Sequence, residues 1–174
     1  GAVEDDPRVD RARSLAAIAI GAENLRRHLE IVREFGLPCV VAVNRRPGDT
    51  DEEGELVRTL ALEHGAFASE VNEGFERGGE GAAALAQAVA EACEQPSEFR
   101  FMYEDDDSIE DKIRAIATRV YGARDVFFYP AAERKLEQYT TEGLDRLPIC
   151  MAKTHLSLSA DPTLLNAPED FTLQ

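Results

Sequence analysis

Three stretches of this sequence place reactive or hydrogen-bonding side chains directly after apolar runs. The first is Asn44-Arg45-Arg46-Pro47-Gly48-Asp49-Thr50, which follows CVVAV (residues 39–43). Asn44 brings an amide that donates and accepts, and Arg45 and Arg46 bring planar guanidinium groups suited to carboxylate or phosphate. The plain alternative is a polar turn in which Asp49 and Thr50 cap the next helix. The second stretch is Gly74-Phe75-Glu76-Arg77-Gly78-Gly79-Glu80-Gly81. Phe75 is an aromatic in polar, glycine-rich surroundings, suited to stacking on a planar ring, while Gly78 and Gly79 let backbone approach a ligand closely. Its alternative is a mobile loop with Phe75 folded back on the core. The third is Lys153-Thr154-His155-Leu156-Ser157-Leu158-Ser159, after PICMA (148–152). A lysine and hydroxyls at a strand end suit an anion, and ordinary loop chemistry explains them equally.

None of these is a phosphate loop, because Gly-Lys-Ser/Thr occurs nowhere in the chain. The three histidines lack the spacing of a metal site or an acid–base dyad. No catalytic residue and no metal ligand is therefore assigned.

The elements that must hold these stretches are legible in the apolar pattern. Residues 9–35 contain no proline and carry Leu25, Leu29 and Val32 at helical spacing, with Gly36 as a left-handed stop before Leu37-Pro38. CVVAV is a continuous apolar run, which predicts a central strand covered on both faces. Thr50 with Glu53 reads as a capping box opening a helix that ends near His64-Gly65. AFASEV (66–71) is a second predicted strand, and AAALAQAVAEAC a helix closing near Pro96. FRFMY (99–103), VFFY (126–129) and PICMA are further predicted strands. Ser108 with Asp111 caps a helix whose Ile109, Ile113, Ile116 and Val120 form one apolar stripe ending at Gly122, and another helix surrounds Leu136 and Tyr139. This alternation predicts an α/β fold, a three-layer parallel sheet with alternating helices, in which ligands lie beyond the carboxyl ends of the strands. Residues 1–36 read as an N-terminal helical segment, 37–153 as the α/β domain and 154–174 as an irregular C-terminal segment.

Composition narrows the function classes. A net charge of −15, with three lysines against sixteen arginines, argues against nucleic acid, which needs clustered cations. A high-salt cytoplasm would account for the acidity and codon bias for the scarce lysine. No apolar run approaches the roughly 20 residues of a membrane span, and no signal peptide is expected. Cys39, Cys93 and Cys150 are odd in number and set among apolar neighbours, which predicts buried thiols in a reducing compartment and a cytoplasmic address. The chain starts at Gly1 and ends in FTLQ just as an apolar run begins, and so reads as a piece of something longer.

The order of segments carries more information than any one of them. VVAVNRRPGDTDEE, LEHGAF, F-x-x-GGEGA with ALAQAV, EDKIRAIATRVYGA, LPICMAKTHLSLS and ADPTLL-x-x-P-x-x-FTL together resemble formate–tetrahydrofolate ligase, also called 10-formyltetrahydrofolate synthetase. The similarity runs from about residue 25 to 173, and LPICMAKTHLSLS is its most specific part. The resemblance implies a cytosolic enzyme that joins formate to tetrahydrofolate through formyl phosphate, using ATP and Mg2+. It also implies a homotetramer of a chain much longer than this one. The family's phosphate loop and its formyl-phosphate-binding residues lie upstream of Gly1. This piece is therefore expected to be inactive alone, to bind neither ATP nor Mg2+, and to depend on the N-terminal portion of the same enzyme. In the family two aromatics hold the pterin. One maps onto Phe75, where Trp is usual, and the other onto Arg46, where Phe is usual; a guanidinium plane also stacks on a ring. Asn44, Arg45, Asp49, Thr50, Gly78, Gly79, Lys153 and Thr154 match family positions. The rival reading is a non-catalytic α/β binding or assembly module; a P-loop-like hydrolase is disfavoured by the missing motif.

Overall fold

The computed structural model describes residues 7–151, 158, 159, 161 and 163–174. They fall into two compact units, Gly1–Glu98 and Phe99–Gln174, so the 37–153 segment contributes to both.

In the first unit, α1 (Pro7–Glu34) opens on its proline and ends where Gly36 takes φ 71°, as the sequence indicates. β1 (Val40–Asn44) and β2 (Ala68–Asn72) pair in parallel, with Val40 opposite Ala68 and Asn44 opposite Asn72. The crossover between them is α2 (Asp51–Glu63), which packs on the strand pair and against α1. α3 (Gly74–Gly81) and α4 (Ala83–Cys93) follow, and α4 also packs on β2. The core is built of small side chains that let helices approach the strands: Ala61 of α2, Ala88 and Ala92 of α4, with Ala22 and Leu29 of α1. β1 is not buried on both faces. Its Ala42 and Asn44 are exposed, because β2 is its one strand partner among the described residues.

Thr50 and Glu53 form the capping box read from the sequence: Thr50 Oγ1 accepts from the Glu53 amide, and the Glu53 carboxylate accepts from the Thr50 amide. The Ser14 hydroxyl of α1 donates to Glu53 as well. That bond first, then those from Thr50, hold the Glu53 carboxyl below its usual range. A carboxyl lowered in the folded state contributes stability that is complete above its unfolded value and is lost as pH falls through the folded one. Glu53→Gln is therefore expected to lower the melting temperature at neutral pH. As pH falls from neutral through that lowered value, both chains come to carry an uncharged side chain here and the gap should close. Thermal melts across that range check it; a gap that persists unchanged into acid contradicts the assignment.

The second unit contains α5 (Ile109–Ile116), a π-helical turn (Ala117–Tyr121) that continues it to Gly122, β3 (Asp125–Val126), α6 (Pro130–Thr141) and β4 (Thr172–Leu173). Ser108 caps α5 by accepting from the Asp111 amide, as expected. β3 and β4 pair in parallel, and Ala117, Ala123 and Val126 form a buried cluster against Ile113, Phe128, Phe171 and Leu173. Residues 154–174 are thus irregular among the described residues except at β4.

The α/β class with parallel pairing holds; among the described residues the strands pair as β1 with β2 in the first unit and β3 with β4 in the second. Three predicted strands are shortened or replaced, for physical reasons. In FRFMY, Phe99 and Phe101 stay exposed and meet edge-to-face at 5.0 Å, while the Met102 carbonyl accepts from Arg119 Nη1 at 2.7 Å. In VFFY, pairing stops after Phe127, whose amide donates to Leu173 O, because Pro130 starts α6. In PICMA, side chains replace a ladder: the Ile149 amide donates to Tyr103 Oη at 2.9 Å and Tyr121 Oη donates to Met151 O at 3.4 Å. Just upstream, Lys112 Nζ donates to Asp145 O at 2.6 Å and Leu147 O at 3.4 Å, and also to Asp105 O at 2.7 Å. This lysine is fully buried.

The cysteines also differ from expectation. Cys39 is half-buried, with its thiol pushed up by burial, whereas Cys93 and Cys150 are exposed. Cys93 ends α4 one position past the buried Ala92, and Cys150 lies in the segment held by side chains. No helix among the described residues is long and apolar enough to cross a membrane.

Candidate functional site

Parallel pairing of β1 and β2 brings the two loops that follow them side by side. Asn44 and Asn72 close their strands as register partners, and Asn72 Nδ2 donates to Asn44 Oδ1 at 2.9 Å. One residue further, Arg45 and Glu73 face each other at 3.4 Å. Beyond these come Arg46 on one side and Phe75 on the other. Asn44, Arg45, Arg46, Pro47, Asn72 and Phe75 line a common hollow of about 430 Å³.

Phe75 is 94% exposed. It lies on a helical turn, not a mobile loop, and is not folded back on the core. α3 is short, and Gly78 breaks it at φ 59°, ψ −143°, a conformation open essentially to glycine alone. Its ends close on each other: the Glu73 amide donates to Gly81 O at 3.0 Å, and a Cβ on Gly81 would lie 2.6 Å from the Glu73 carbonyl oxygen. Gly78 and Gly79 thus shape the turn that carries Phe75 and do not themselves line the hollow.

The remaining sequence-selected residues divide. Arg45 is tied into the fold, to Asp51 at 2.6 Å and to Glu73. Arg46 is exposed, and no acid pairs with its guanidinium among the described residues. The Asp49 carboxylate accepts from the Arg46 amide at 2.8 Å, and the Asp49 amide returns a bond to Arg46 O at 3.1 Å, which fixes the turn. Asp49 and Thr50 line a neighbouring hollow of about 470 Å³ across Arg45, with Ser14, Ile18 and Val57. Lys153 and Thr154 lie outside the described residues. Asn72 and Glu73 were not singled out from the sequence. The signal that could have found them is register, since each is the counterpart of an assigned residue on the adjoining strand end.

The family profile described as formate–tetrahydrofolate ligase matches residues 4–174. The chain belongs to the formate–tetrahydrofolate ligase family. It is 46% identical over 158 residues to the formate–tetrahydrofolate ligase of Desulforamulus reducens, covering 91% of this chain and 28% of that protein. It is 48% identical over 167 residues to the cytoplasmic C-1-tetrahydrofolate synthase of Mus musculus, covering 96% of this chain and 18% of that one. With the formate–tetrahydrofolate ligase of Symbiobacterium thermophilum the identity is 49% over 160 residues, 91% of this chain and 29% of the relative. The chain therefore spans less than a third of each of these family members.

Proposed function

We propose that the chain is the folate-side portion of an ATP-dependent formate–tetrahydrofolate ligase. On this reading the whole enzyme makes 10-formyltetrahydrofolate from formate and tetrahydrofolate through formyl phosphate. The observation that carries the proposal is the hollow in which an almost fully exposed aromatic, Phe75, shares the walls with the exposed Arg46. A water-exposed ring with few packing partners is a poor use of a phenylalanine unless something flat covers it. Arg46 supplies a second flat surface, and its charge also suits the carboxylates of a folate. Asn44 and Arg45 contribute polar rim, Gly78 and Gly79 the turn; Asp49 and Thr50 act through the loop's shape, and Lys153 and Thr154 are proposed from their sequence positions alone.

Phosphoryl transfer is assigned elsewhere in the enzyme. The chain has no Gly-Lys-Ser/Thr. On this reading ATP and Mg2+ are held by residues of the longer enzyme, where the transferred phosphoryl meets positioned charge. The partners proposed are tetrahydrofolate, formate and the N-terminal portion of the same enzyme, in a cytoplasmic homotetramer, with neither nucleic acid nor membrane involved. The chain alone is expected to show no formate-dependent ADP release, whereas a chain extended by the upstream ligase sequence should show it. Formate-dependent ADP release from the 174-residue chain would overturn this division of labour.

A further inference from the structure

We propose that Asn72 and Glu73 are positioning residues that set the separation between the two walls of the hollow. The inference rests on the reading of that hollow as a ring-binding cleft. Arg46 sits on the loop after β1 and Phe75 on α3 after β2, and neither segment alone fixes the gap between them. Two consecutive cross-strand links do so. In the first, Asn72 Nδ2 donates to Asn44 Oδ1 at 2.9 Å, while Asn72 Oδ1 accepts from the Gly74 amide at 3.0 Å, so one side chain joins the end of β1 to the start of α3. In the second, Glu73 meets Arg45 at 3.4 Å and Arg77 at 2.9 Å. Arg77 follows Phe75 by two residues on α3, and Glu73 with Glu80 holds its guanidinium above the usual range. Glu73 also accepts the first amides of the turn, from Glu76 at 3.0 Å and Arg77 at 2.9 Å, through its backbone carbonyl. A single half-buried carboxylate thus joins the Arg46 loop to the helix that carries Phe75.

A ligand-free measurement tests this. The chain has no tryptophan, so Phe75→Trp installs a sole indole fluorophore on the wall, and time-resolved anisotropy reads its local motion. In that background Glu73→Gln is expected to roughly double the amplitude of the nanosecond component. Arg45→Ala should give a similar rise, and the pair together no more than either alone, as members of one link do. Raising salt on the Phe75→Trp chain, with no other change, should move it in the same direction, because a half-exposed ion pair is screened. Anisotropy indifferent to salt and to Glu73→Gln, or strictly additive effects of the two substitutions, would overturn the assignment. Quenching of the introduced indole by tetrahydrofolate is read separately. Its absence would count against the ring-binding reading, while the positioning roles stand or fall on anisotropy.

Discussion

Replacing Lys112 by methionine is expected to cost the second unit about 3–5 kcal/mol, a drop in melting temperature on the order of 10 °C or more for a unit of this size. Lys112 has no exposed surface, and its ammonium carries three donors. They go to the carbonyls of Asp105, Asp145 and Leu147, with the Tyr103 ring centroid 5.8 Å away. Methionine fills a similar stem but donates nothing, so carbonyls drawn inward for a cation are left buried without a partner. Hydrogen bonds to a charged group are worth about 1.5–3 kcal/mol each, and the longest of the three contributes least. Lys112→Arg keeps the charge but offers a planar fork to three converging oxygens, and an intermediate loss is expected. Calorimetric melts of the three chains check the order. A melting temperature for Lys112→Met within about 2 °C of the parent would show that the carbonyls find other partners.

Lys112 also shows where sequence reading stopped. It falls three residues after Ile109 and one before Ile113, inside the apolar stripe of α5. A lysine on the buried face of a helix was the available signal that something must receive it. Two of its three acceptors are backbone carbonyls more than thirty positions away, which no local pattern contains. Features closed by local chemistry were legible: the Thr50–Glu53 box, the Ser108 cap and the left-handed Gly36 all depend on residues within a turn of one another. Strand extents were not, since a run such as FRFMY becomes a strand only if another strand lies beside it. In this chain Phe99 and Phe101 have each other instead. The hollow was legible in part. Phe75 stood out as an aromatic among glycines and charges, and Arg46 through the family resemblance. The links that hold them in register, from Asn72 and Glu73, become visible only once β1 and β2 are paired.

The central claim is that Phe75 and Arg46 flank a bound pterin, and it is most directly tested at Phe75. Stacking of a planar heterocycle on an aromatic side chain is worth about 1–3 kcal/mol by alanine substitution. On the proposed reading the chain holds only one side of the site and has little other binding energy to fall back on. Because the ring is 94% exposed, its removal leaves no cavity in the core, so Phe75→Ala should melt with the parent. Calorimetric titration with tetrahydrofolate is the measurement. The parent chain should bind weakly, and Phe75→Ala should bind at least about tenfold more weakly or not measurably. Equal affinity in the two chains would contradict the account.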